Sequence, residues 1–184
     1  QSGLGVSPII SVAYLFSDMT GNSFGNVTFV YYCVFVGIEL IMDHDWKDLL
    51  QIPFSVVFTG FLNLFGEILV FRSDSFQFRL FLLIVAVLCT GIGAALTVNM
   101  KIVPNPGDGI VNAIARHMNK EMGITKNFFD ATCITVTLIL GFLSGRPFCG
   151  IGIGTVVAMI GVGRVISAFN HVFREKLAEI SGTE

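Results

Sequence analysis

Apolar residues in this chain come in long unbroken runs, and four of these approach or exceed what a bilayer crossing needs: Phe24 to Met42, Gln51 to Phe71, Phe78 to Asn99 and Pro147 to Asn170. A spanning helix takes about 20 mostly apolar residues. A fifth run, Phe128 to Leu143, is shorter, and the polar stretch "RHMNKEMGITK" before it reads as a link. Two short helices of another kind interrupt this pattern. Pro106 to Asn119 is too short and too polar at its C-terminal end to cross alone. Pro104 and Pro106 fix its approach, and Asp108 stands at its beginning, where a carboxylate accepts hydrogen bonds from unpaired N–H groups. Near the N-terminus Ser7 is a candidate cap, and Pro8 takes the first helical position, where a missing N–H costs nothing.

The two short helices belong to a repeat. A shift of 100 residues lays "GVSPIISVAYLFS" on "NPGDGIVNAIARH", bringing Ile10 onto Ile110, Ala13 onto Ala113, Phe29 onto Phe129 and Ser55 onto Thr155. Each copy reads as a turn, a short helix, a polar link and two spans. The expected fold is therefore all-α: a polytopic transmembrane helix bundle of two internal repeats, each with a broken or re-entrant short helix. Residues 1–77 form the first repeat, 78–174 the second and 175–184 a cytoplasmic tail. The second copy has a leading span, Phe78 to Asn99, and the first does not, so a further apolar span is expected upstream of Gln1.

Composition strengthens this picture. Hydrophobic residues make up 53% of the chain and charged residues only 13%, where soluble domains carry about 25% charged residues. A net charge of -2 gives no basic surface for nucleic acid. The four cysteines lie one to a segment, without metal or disulfide spacing, and read as apolar packing residues. Asp43, His44 and Asp45 are adjacent in one loop, and such neighbours seldom converge on an ion. No cofactor motif, nucleophile–base pair or paired-carboxylate spacing is present, so no enzymatic activity is expected.

Candidate binding chemistry lies in the short helices and the charges within spans. Helix N-termini carry about half a positive charge, and broken helices of transporters aim them at anionic groups near the midplane. Interfacial helices lying on the membrane are the alternative. Arg164 shares a helical face with Gly154, Gly161, Ala168 and His171 and is expected to face the bundle interior, with snorkelling to the membrane edge as its other reading. Asn63, in mid-span, either bonds a solute or joins helices. Lys126 and Asp130 read as an i,i+4 ion pair at a membrane edge, and Glu39 and Glu67 as charges near span ends. The expected site is Ser7, Pro8, Asn63, Gly107, Asp108, Asn112 and Arg164.

The segments "SGLGVSP", "VPNPGDGIVNAIA", "KNFFD" and "GIGTVVAMIGVGRVI" resemble the YczE/YyaS/YitT-type bacterial integral membrane proteins. The resemblance covers nearly the whole chain and implies a multi-pass protein of the bacterial cytoplasmic membrane with a span before the first turn. Where such relatives commonly have Gly-Pro late in the last span, this chain has Gly163 and Arg164. The function expected is a transporter or permease for a small anionic or zwitterionic solute, with Asp108 as an alternative site for a coupling proton or cation. A non-catalytic membrane scaffold or accessory subunit is the competing reading. Expected partners are the lipid bilayer, the solute, and either a second copy or another membrane protein. Five Lys or Arg in the tail and the polar link, against one in "SGRP", put the C-terminus in the cytoplasm.

Overall fold

A computed structural model describes residues 4–68, 75–100 and 103–181, with side chains in the last helix as far as residue 173. The described residues form helices and connecting turns, without strands. A 3-10 turn at Pro8–Ile10 leads into α1 (Ser11–Thr20), followed by α2 (Phe24–Asp43). A second such turn, Trp46–Leu50, leads into α3 (Gln51–Ile68). Then come α4 (Phe76–Asn99), α5 (Pro106–His117), α6 (Met122–Leu143) and α7 (Ile153–Ser181). Five stretches are long and apolar enough to span: Phe24–Asp43, Trp46–Ile68, Phe76–Asn99, Met122–Leu143 and Ile153–Phe173.

The surface and interior are distributed as a lipid-facing protein requires. Val30, Ile41, Phe65, Ile139 and Leu143 are exposed, while Thr28, Ser55, Thr59, Thr137 and Thr155 are buried. Inside, small hydroxyls return their protons to the preceding turn, as Thr28 does to Phe24 O and Thr137 to Cys133 O, so each buries its polar atom at little cost. The chain is a multi-pass, all-helical membrane protein.

Two spans start elsewhere than expected. The fifth span begins at Met122, so Met122 to Lys126 belong to α6 and not to the link. Lys126 is buried among carboxylates, which lets the helix continue through a charge that reads in sequence as a loop signal; it also drops out of the loop count used for orientation. The last span begins at Ile153, after the turns that follow Pro147. The second expected span ends beyond the described part of α3, since residues 69–71 lie outside the described residues.

Helix directions follow from the contacts. Val87 lies on Gly161, Val165 on Gly91 and Asn99 on Asn170, so α4 and α7 run parallel. Gly123 meets Ser167 and Gly163 meets Asn127, so α6 runs antiparallel to α7; Gly25 meets Asn63 and Glu39 meets Gln51, so α3 runs antiparallel to α2. The absent side chains at Gly123 and Gly163 allow the two backbones to touch.

The short helices fill the middle. α1 packs on α2 and α6, and α5 packs on α6 and α2. Their starting ends meet, with Ile9 against Gly107. From there they diverge. Tyr14 of α1 lies against Phe24 and Gly150, and Arg146 binds Asp18, all at the starting end of α2. α5 ends where Arg116 binds Asp43, at the other end of α2. Twenty residues of helix separate those ends by roughly 30 Å.

Candidate functional site

The sequence "VPNPGDG" starts α5 by a different route from the one expected. Asn105, not Asp108, is the cap: its side chain accepts from Gly107 N–H at 3.0 Å, and its backbone carbonyl accepts from Asp108 and Gly109 N–H, each at 2.8 Å. Pro106 has no N–H to satisfy. Every donor of the first turn is therefore engaged or missing, and this helix end has no free N–H for an anion. The signal was present in the sequence, because Asn followed by Pro fits the cap and first helical positions. At the N-terminal turn Pro8 is buried, whereas Ser7 is exposed and its side chain makes no cap.

Relieved of capping, the Asp108 side chain turns to Lys126. The ammonium lies 3.4 Å from Asp108 and 3.5 Å from Asp130, and the Lys126 and Asp130 side chains are only 4% and 2% exposed. Both distances exceed the 2.7–3.2 Å of an ordinary N–H···O bond. The lysine is thus held loosely between two carboxylates, one on α5 and one on its own helix, and Asp130 Oδ1 has no hydrogen-bond partner. Tyr32 of α2, also buried, places its hydroxyl by Asn105 with Asp108 close by. The preceding residue, Tyr31, reaches Cys133 at 3.8 Å. Two carboxylates and one ammonium where helices meet form a charge set able to exchange partners if α5 shifts. The i,i+4 pair was legible in the sequence; its depth and its third member were not.

One helical turn from this triad lies a cavity of about 580 Å³. Val98 and Asn99 of α4, Asn112, Ala115 and Arg116 of α5, Asn119 to Met122, and Ser167, Asn170 and His171 of α7 line it. Asn112 stands four residues after Asp108 on α5, and Met122 four residues before Lys126 on α6, so each wall residue lies about 6 Å along its helix from one of the ions. Arg116, Lys120 and His171 bring basic character, with Glu121 opposing. The helix N-terminus at this cavity belongs to α6, whose cap residue Glu121 makes no side-chain cap bond.

Of the seven expected residues, Gly107 and Asp108 lie in the first turn of α5, which meets the turn that holds Pro8 through Ile9, and Asn112 lies in the cavity wall. Asn63 accepts from Gly25 N–H at 2.8 Å and so ties α3 to the start of α2, away from the others. Arg164 is exposed, not interior. Val162, Gly163 and Ile166 carry the buried face of α7, and the stripe through Gly154, Gly161, Ala168 and His171 runs from buried to exposed. Among the described residues, no three His, Cys, Asp or Glu side chains come together in a way that could hold a metal ion.

Outside the spans, the Arg146 guanidinium bound to Asp18 holds that carboxyl below the usual range. Burial, and then the Asp18 carboxylate, push the Cys149 thiol up.

Among known proteins, no curated protein and no solved structure matches the chain. The model of a family of unknown function, DUF6198, matches residues 1–171. That match takes in every helix described above except the end of α7, and with it the triad and the cavity; the chain belongs to the DUF6198 family.

Proposed function

We propose that the chain is a membrane transporter or permease for a small anionic or zwitterionic solute, which it takes up in the cavity bounded by α4, α5, α6 and α7. The observation that carries this reading is the nearness of that cavity to the charge set: its wall residues Asn112 and Met122 stand one turn along α5 and α6 from the half-buried Asp108 and the buried Lys126, which pairs with the buried Asp130. Buried ionisable groups in spans mark solute or ion pathways. The volume falls within the roughly 300–1,000 Å³ of small-ligand sites. Anion preference is supported by Arg116, Lys120, His171 and the start of α6, and not by the start of α5.

The same reading takes α1 and α5 as re-entrant half-helices of two inverted repeats. Its support is the shared element order, the reciprocal packing of α1 and α5 on α2 and α6, and the meeting of their starts at Ile9 and Gly107. Kinship with the YczE/YyaS/YitT-type proteins, residence in a bacterial cytoplasmic membrane, a cytoplasmic C-terminus and the lack of enzymatic activity are parts of the same proposal.

A panel of amino acids, carboxylates and inorganic anions, screened for thermal stabilisation of the purified protein, tests it. A solute that raises Tm in the wild type, loses that effect in Lys120→Ala or Asn112→Leu, and accumulates in vesicles holding the protein is the expected result. A second reading, scaffold or accessory subunit, rests on Arg164, a charge exposed halfway along a span where a protein neighbour would shield it from lipid. Stoichiometric co-purification of a partner that Arg164→Leu releases, with no stabilising solute, would favour that reading.

A further inference from the structure

Glu39 and Gln51 form a second buried polar pair, outside both the cavity and the triad. They flank the turn between α2 and α3 and are 2% and 1% exposed. Both press on the first turn of α5. A Cβ at Gly109 would lie 2.7 Å from Gln51 Oε1 and 2.7 and 2.8 Å from the two Glu39 carboxyl oxygens, so three oxygens converge on one point. Gln51 Nε2 donates to Glu39 Oε2 at 2.6 Å. The remaining oxygens, Glu39 Oε1 and Gln51 Oε1, are buried and have no hydrogen-bond partner.

An ionised carboxylate and an amide oxygen both only accept, so an ionised Glu39 leaves two buried acceptors crowded together without a donor. A single proton resolves both. With Oε1 protonated, Glu39 donates to Gln51 Oε1 while Gln51 Nε2 donates to Glu39 Oε2, which closes a reciprocal acid–amide pair. The charged groups facing the pair point the same way. Asp43 on α2 and Asp48 in the turn before α3 are acidic, and Arg116 of α5 is already bound to Asp43 at 2.5 Å. Asp48 Oδ2 is itself a buried acceptor without a partner.

We propose that Glu39 is a proton-binding site, holding in this conformation a proton that it donates to Gln51 Oε1. Loss of the proton would set a carboxylate charge directly against Gly109, in the helix turn that also carries Asp108, and so couple proton release to movement of α5. This site stands whether or not the cavity takes a solute, and its test uses no transport assay.

The experiment is infrared spectroscopy of the full chain in lipid vesicles at neutral pH. The expected result is a protonated-carboxyl carbonyl band that is missing in Glu39→Gln, whose amide preserves both hydrogen bonds and hence the fold. In Gln51→Ala the same band moves without vanishing, because the acid keeps its proton and loses its partner. Absence of the band in the wild type, its survival unchanged in Glu39→Gln, or its indifference to Gln51→Ala would overturn the proposal.

Discussion

Lys126 is an ammonium in the interior of a membrane protein, and its desolvation is offset by two carboxylates from different helices. Removing one partner of a buried ion set leaves uncompensated charge, which costs about 3–5 kcal/mol, whereas neutralising the whole set is often tolerated. Lys126→Met should therefore lower unfolding stability in detergent by about that amount, and adding Asp108→Asn and Asp130→Asn should restore most of it. A single variant as stable as the wild type would mean that the ammonium is not buried. On the surface, the Arg146 guanidinium favours the charged form of Asp18. A carboxyl held low in the folded state contributes stability above its unfolded value, and that contribution is lost as pH falls through the folded one. Acid titration of Tm should accordingly be shallower in Asp18→Asn than in the wild type.

Among these residues the sequence exposed chemistry better than depth. Lys126 and Asp130 are visible as a pair at i,i+4, but a charge in a hydropathy profile reads as the edge of a span unless its counter-ions are known. Asp108 supplies one of those from another helix, at a separation that no local pattern encodes. Arg164 failed in the opposite direction, because a stripe of small residues marks a face of close approach without saying which neighbour approaches.

α5 is the element that touches both polar clusters. Its start is held by Asn105, its first turn lies on Glu39 and Gln51, and its Asp108 binds Lys126. Asn105→Ala should cost about 1 kcal/mol by uncapping the helix. Gly109→Ala should cost about 1–3 kcal/mol by overpacking, because the added methyl must push three buried oxygens of Glu39 and Gln51 from their places. Both are read as shifts in the melting temperature of the full chain, and an unchanged Gly109→Ala would mean that α5 sits further from α2 than described. The bounds of α5 were legible because Pro106 opens it and polar residues close it, and four of the five spans were legible from length and hydropathy alone. The start of α6 was not, since its first turns are polar and are stabilised by contacts made only after folding.

At the scale of the molecule, two short helices start against each other in the interior and end at opposite ends of α2, and the cavity lies on the α5 side of that meeting. Ile9 and Gly107 pack together where the two short helices start, and the cavity lies toward the other end of α5, at Asn112, Ala115 and Arg116. Asn112 and Ser167 lie in its wall, whereas Asn63 joins helices near the start of α2, about 30 Å away along that helix.

Single cysteines at Asn112, Ser167 and Asn63, in a background lacking Cys33, Cys89, Cys133 and Cys149, turn this into the most direct measurement. Sealed membrane vesicles of known orientation are treated with a membrane-impermeant thiol reagent from one side and then from the other. The account predicts that Asn112→Cys and Ser167→Cys react from the same side only, that Asn63→Cys does not react from that side, and that a stabilising solute slows the first two. Inert cysteines at both cavity positions, or reaction at Asn112 and Ser167 from opposite sides, would contradict a water-filled cavity one turn from the buried lysine.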